Sequence, residues 1–231
     1  AWESFIADNY DIDDLDHEVI YRTAMDGIAE KRIPASIARA SVEKILRQLD
    51  LINEDGKLKK AAVVLFAKEI KSPYTQCWLK MARFKGINKT GDFIDNQREH
   101  CNVFRMLEVA DNFLRKHLPI ASYFKPDQFK RIDKPALPVR AVREALVNAI
   151  CHRDYKDQSG YISIAIFDDK VEIWNNGTLP DKLQLKDLKH EHDSILRNEI
   201  IANVFYLRGY IEAWGTGTTN MIEFCKEDNI P

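Results

Sequence analysis

The sequence predicts an α/β fold: a mixed sheet with helices layered mainly on one face, preceded by a small helical extension. Three observations carry that expectation. Helical and strand patterns alternate from about residue 58 onward. Ile162, Ile164 and Ile166 alternate with small or polar residues, Asp168-Asp169 makes a turn, and Val171 and Ile173 resume the alternation, which is the pattern of a hairpin. Between Arg143 and Tyr155, the residues Glu144, Asn148 and His152 recur every four positions, and on a helix that spacing aligns them along one edge.

Taken in order, Asp14 or Asp16 can cap a helix running to about Lys31, and Ser36 can open a second in which Val42, Ile45, Leu46 and Leu49 keep helical spacing. Asp55-Gly56 then turns the chain. Two helices followed by Lys57, Lys59 and Lys60 have the order of a winged helix, with Arg39, Lys44 and Arg47 available to phosphate. No glycine-rich wing follows; the continuous apolar run Ala61 to Phe66 reads instead as a buried strand. Cys77 to Phe84 reads as the next strand, and Val103, Leu107, Ala110 and Leu114 outline a long amphipathic helix stopped by Pro119. Pro119 to Pro138, with Pro126 and Pro135 inside it, reads as an irregular crossing. The helix of Glu144 comes next, with Val142, Ala145, Leu146, Ala149 and Ile150 to bury and Pro138 suited to its first turn. After the hairpin, Trp174-Asn175-Asn176-Gly177 is a turn, and Thr178 to Ser194, holding Lys182, Lys186, Lys189, His190 and His192, reads as a loop or lid. Ile201, Val204 and Phe205 mark a helix, and Gly215-Thr216-Gly217 leads into a last one with Met221, Ile222 and Cys225 on one face. The expected division is a helical extension or linker over 1–57 and an α/β unit over 58–231.

With 231 residues, 45% of them hydrophobic, the chain can bury one sizeable core and a smaller extension. Its net charge of −2 gives no global attraction to a polyanion, so DNA contact by this portion would need a local basic patch. Cys77, Cys101, Cys151 and Cys225 are widely separated, and neither a signal peptide nor a long apolar run is present, so a cytoplasmic setting and no membrane partner are expected. The chain opens on Ala1 with Trp2 and Phe5 close behind, and it ends directly after a helical pattern; it reads as part of a longer protein.

A carboxylate can take a proton from water and an amide oxygen can coordinate a hard cation, so Glu144 and Asn148 together suit metal-assisted phosphate chemistry. The competing reading is a solvated polar helix face. A glycine pair ahead of a helix leaves N–H groups free at the positive end of the helix dipole, which suits an anion, although the same triplet also serves as plain turn chemistry. His152-Arg153-Asp154 has the letters of a kinase catalytic loop without the glycine-rich loop or Asp-Phe-Gly that must accompany it, and His152 reads as a structural or pocket-edge residue closing the helix, where His152, Arg153 and the following Asp154-Tyr155 can bond to free carbonyls. His190 and His192 have no third ligand nearby, so no metal cage is assigned. No Gly-x-x-x-x-Gly-Lys loop is present to argue for a helicase motor.

The phrases Arg143-Glu144-Ala145-Leu146-Val147-Asn148-Ala149, His152-Arg153-Asp154-Tyr155, Val171-Glu172-Ile173-Trp174-Asn175-Asn176-Gly177, Arg197-Asn198, and Ile211-Glu212 with Gly215-Thr216-Gly217 occur in that order. This succession resembles the divergent nucleotide-binding domains related to gyrase, chaperone, histidine-kinase and mismatch-repair ATPases, the GHKL group. Within it the chain is similar to the RecG-helicase-related group found behind an AlbA/Schlafen-type DNA-binding domain in bacterial transcriptional regulators. Ala61 to Phe66 and Arg83-Phe84-Lys85-Gly86 also look like that group, whereas residues 1–55 match it loosely. The resemblance implies ATP and magnesium as cofactors, with Glu144 activating water and Asn148 holding the metal. It implies Asn175, Asn176 and Gly177 near the adenine, His152 at the pocket edge, Gly215, Thr216 and Gly217 cradling phosphates, a lid over 182–197, and Arg197 touching phosphate. It further implies a homo-oligomeric regulator more than an enzyme, with weak ATPase activity at most and DNA bound through domains outside this portion. Two departures bear on catalysis: active members carry aspartate where this chain has Asn175, and a second glycine where it has Leu179. A neutral amide there forgoes a charge-assisted bond. The alternative reading is a degenerate scaffold that binds no nucleotide and only mediates oligomerisation.

Overall fold

The computed structural model describes all residues except 73, 125, 126, 128, 180–183, 191–195, 212–216 and 231, and the backbone alone of 121 and 123. Helix α1 (His17–Ala29) begins where the Asp16 carboxylate accepts the Val19 N–H at 3.2 Å. Helix α2 (Val42–Gln48) starts later than expected. Its cap is Ser41, whose hydroxyl accepts the Lys44 N–H at 3.2 Å, while Ser36 lies inside a 3-10 turn, Ala35–Arg39. A cap must combine extended backbone with a reach to the third helical N–H, and Ser41 (φ −64, ψ 159) meets both requirements.

The run Ala61 to Phe66 is a helix, not a strand: α3 (Lys60–Phe66) is buried on every side. A helix at the centre of a core has no polar face, so its sequence loses the period that would separate it from a buried strand. Strand β1 (Trp78–Phe84) pairs antiparallel with β2 (Phe93–His100), and α4 (Val103–His117) follows from the Asn102 cap. The stretch after Pro119 is also more regular than expected. It forms an antiparallel hairpin of β3 (Ile120–Phe124) and β4 (Arg131–Pro135), with Pro135 at a strand end where its missing N–H breaks no ladder.

Helix α5 (Val139–His152) carries the chain to a second hairpin of β5 (Ile162–Ile166) and β6 (Val171–Trp174), then to α6 (Glu199–Leu207) and α7 (Gly217–Glu227). The main sheet has the order β2-β1-β5-β6, with β1 and β5 parallel and the outer pairs antiparallel. Leu79, Met81, Ile162, Ile164 and Ile166 point to the helical side and join the main core. Phe84, Ala165 and Phe167 form a small cluster on the opposite face. The architecture is therefore α/β with a mixed sheet and the helices mainly on one side.

Residues of both 1–57 and 58–231 contribute to one buried cluster, including Leu15, Ile20, Ile45 and Leu49 with Val63, Ile150 and Phe205. Polar ties reinforce it. The Glu3 carboxylate accepts the Ile200 and Ile201 N–H groups at 2.9 and 3.0 Å, satisfying donors at the start of α6. Arg208 donates to Asp26 at 2.9 and 2.7 Å. The four cysteines are free. Among the described residues, no helix is long and apolar enough to cross a membrane.

Candidate functional site

Helix α5 presents Glu144, Asn148 and His152, each partly exposed, along one edge, while Val142, Leu146, Val147 and Ile150 are buried. Against this edge lies the first turn of α7. A Cβ built on Gly217 would sit 2.6 Å from Glu144 Oε1 and 2.8 Å from Asn148 Nδ2, so the backbone approaches the carboxylate and amide as closely as only glycine allows. The positive dipole end of an eleven-residue helix thus faces the polar pair. Beside Gly217, the buried hydroxyl oxygen of Thr218 has no hydrogen-bond partner among the described residues. Gly215 and Thr216, expected to share the phosphate role, lie outside the described residues, as do Glu212 and, from the expected lid, Lys182 and His192. The described part of that segment includes a 3-10 turn at Asp187–Lys189.

The turn expected at the adenine end packs on the C-terminal end of α5. Asp154 N donates to Asn176 O at 2.6 Å, and a Cβ on Gly177 would lie 2.7 Å from the His152 carbonyl oxygen. The Asn175 Nδ2 atom is buried and lacks a hydrogen-bond partner among the described residues. Asn176 turns its side chain to the 157–160 loop instead, donating to Asp157 Oδ2 and Ser159 O, each at 2.8 Å. Arg197 donates to the Thr178 carbonyl at 3.0 Å and pairs with Asp154 at 3.2 Å. Two clusters result: Glu144 and Asn148 with Gly217, and His152 with Asn175, Gly177 and, through Asp154, Arg197.

Sequence reasoning offered Arg153 and Tyr155 as partners for free carbonyls at the helix end, but not the burial of Arg153, its acceptors in the loop, or the part of Asn198. Arg153 is fully buried and donates to the carbonyls of Asp154, Asp157, Ser159 and Gly160 at 2.6–3.2 Å. Asn198 donates to the Cys151 and Arg153 carbonyls, each at 2.8 Å, and Tyr155 donates to the Ile150 carbonyl at 3.1 Å, so the free acceptors at the end of α5 are met from the side. The signal available in sequence was an arginine set between polar residues, which is ambiguous until its burial is known.

The Ser159 hydroxyl, the Asn176 amide and the Ser159 N–H all donate to Asp157, bringing its pKa down to about 2. A depressed carboxylate contributes stability above the ordinary carboxylate range and loses it as the pH falls through about 2. A carboxyl-detected NMR titration is expected to place Asp157 there. In Asn176→Ala the midpoint should rise toward the ordinary value of about 3.9; an unmoved midpoint would remove Asn176 as a cause.

Residues 160–231, from the β5–β6 hairpin through α7, match the family model described as "Putative ATP-dependent DNA helicase recG C-terminal". That part of the chain is similar to a RecG-related, ATPase-like domain. Among solved structures, the DIP2311 protein from Corynebacterium diphtheriae is similar over 95% of this chain at 17% identity and a TM-score of 0.74, a likeness of fold. This chain spans 42% of that one's length. No curated protein matches.

Proposed function

We propose that this chain is the ATP-binding regulatory domain of a homo-oligomeric bacterial transcriptional regulator. Nucleotide binding would set the arrangement of DNA-binding domains elsewhere in a longer protein. The observation that carries this reading is the abutment of Gly217 on Glu144 and Asn148, which opposes a helix N-terminus to a carboxylate and a hard-oxygen donor. The Asn175 Nδ2 and Thr218 hydroxyl, without partners among the described residues, fit a ligand that contributes both acceptors and donors, as a nucleotide does. Asn148 would hold magnesium, the first turn of α7 would face the phosphates, and Asn175 with Gly177 would edge the base. Magnesium-ATP, when bound, supplies an electrophilic phosphorus and a cation that offsets its charge. Glu144 is the carboxylate placed to take a proton from water. A switch is favoured over rapid turnover because Asn175 offers the base a neutral amide.

Calorimetric titration with a non-hydrolysable ATP analogue is expected to show binding that requires magnesium. No heat at millimolar ligand, together with an unshifted melting temperature, would overturn this reading and leave the ligand-free scaffold.

A further inference from the structure

On the other side of α5 from Asn148 lies a cleft of about 640 Å³, bounded by α1, α4, α5 and the base of the β3–β4 hairpin. That size lies within the usual range for small-molecule pockets. Leu107 and Leu114 from α4, Leu118 just after it, Val139 and Val142 from α5, and Pro135 from β4 give it apolar walls. Five arginines also line it, and their partners differ. Arg105 pairs with Glu108 at 3.1 Å, Arg115 with Asp111 at 2.7 Å, Arg22 with Glu18 at 2.8 Å, and Arg208 with Asp26 at 2.7 Å. Arg143 has no carboxylate partner among the described residues, and its guanidinium lies 5.8 Å from the centre of the Tyr210 ring. Arg208 lies 5.3 Å from the same centre. The remaining carboxylate of the lining, Asp16, is engaged in capping α1.

We propose that this cleft is a second ligand site, taking a small organic anion whose aromatic or branched aliphatic body fills the apolar walls while its charged group meets Arg143 beside Tyr210. Arg143 is exposed, so its charge stays hydrated while the cleft is empty. A carboxylate, sulfonate or phosphate oxygen gains a charge-assisted, two-pronged partner there. The paired arginines hold their own carboxylates and leave the Arg143 end as the cationic one. A neutral ligand of the same shape gains only the apolar contact. This site is independent of the nucleotide reading, since its residues are not those that would hold ATP.

The test uses the whole chain and two probes with the same ring body: anilinonaphthalene sulfonate, an anion, and N-phenyl-1-naphthylamine, its neutral counterpart. The expected result is one saturable sulfonate site, weakened about tenfold or more by Arg143→Gln. The neutral probe should bind equally to wild type and Arg143→Gln. Val139→Trp, at a position 38% exposed and therefore tolerant of bulk, should fill the cleft and weaken both probes. Asn148→Ala should leave both unchanged, separating this site from the nucleotide site. Sulfonate binding that survives both Arg143→Gln and Val139→Trp would overturn the proposal. Loss in Val139→Trp alone would overturn the anionic ligand class. Dissociation of a dimer by the probe, read by sedimentation, would overturn it in favour of an interface between copies.

Discussion

Arg153→Met is expected to destabilise the fold by about 3–5 kcal/mol. The guanidinium spans four carbonyls of the loop between α5 and β5, and no part of it reaches solvent. Removing it leaves a set of acceptors that methionine cannot meet. That loop also carries Asp154 and Asp157, which hold Arg197 and the Asn175–Gly177 turn, so the loss spreads to both hairpin and α6. Arg153→Lys should rescue little, because a compact ammonium on a flexible stem cannot reach four acceptors arranged for a planar fork. Urea unfolding of the three proteins measures the effect. A loss below about 1 kcal/mol would mean that water replaces the guanidinium at those carbonyls.

Gly217→Ala is expected to weaken magnesium-dependent nucleotide binding by about tenfold or more while the melting temperature stays nearly unchanged. The added methyl would meet Glu144 Oε1 at 2.6 Å and Asn148 Nδ2 at 2.8 Å. Both are the ends of flexible side chains on a partly exposed helix edge, so they can swing aside without disturbing the core. The fold survives and the pair is dispersed. Asn148→Ala should give the same loss by removing the oxygen donor outright, and calorimetry reads both. Wild-type affinity in Gly217→Ala would exclude the first turn of α7 from the nucleotide site. Wild-type affinity in Asn148→Ala would remove that residue from the metal role.

Much of the fold was legible because amphipathic elements write their own periods. In α4, Val103, Phe104, Met106, Val109, Ala110, Phe113 and Leu114 are buried in a helical repeat, and the Asn102 cap and Pro119 bracket it. The β5–β6 hairpin was equally plain, with Ile164 opposite Ile173 and Ile166 opposite Val171. Other elements were hidden for identifiable reasons. α3 is apolar all round, so no period distinguishes helix from strand. The described side chains of β3–β4 are largely exposed and lack the apolar alternation of a half-buried strand. Ser36 and Ser41 are both competent caps, and the backbone between them chooses.

At the candidate site, spacing alone put Glu144, Asn148 and His152 on one edge of α5, because a helix converts a four-residue repeat into a stripe whatever surrounds it. It could not tell that Gly217, from a helix more than sixty residues away, lies against that stripe, or that Asn176 gives its amide to Asp157 in the neighbouring loop. Local chemistry is written residue by residue: caps, turns, strand alternation and the stripe on α5 follow from nearest neighbours along the chain. Which backbone meets which side chain, which arginine is sealed at the centre of a loop and which stands exposed at the mouth of a cleft, depend on packing between distant segments. Burial and charge pairing are properties of that packing, so Arg153 and Arg143, the same residue in sequence, acquire their different characters only in the folded chain.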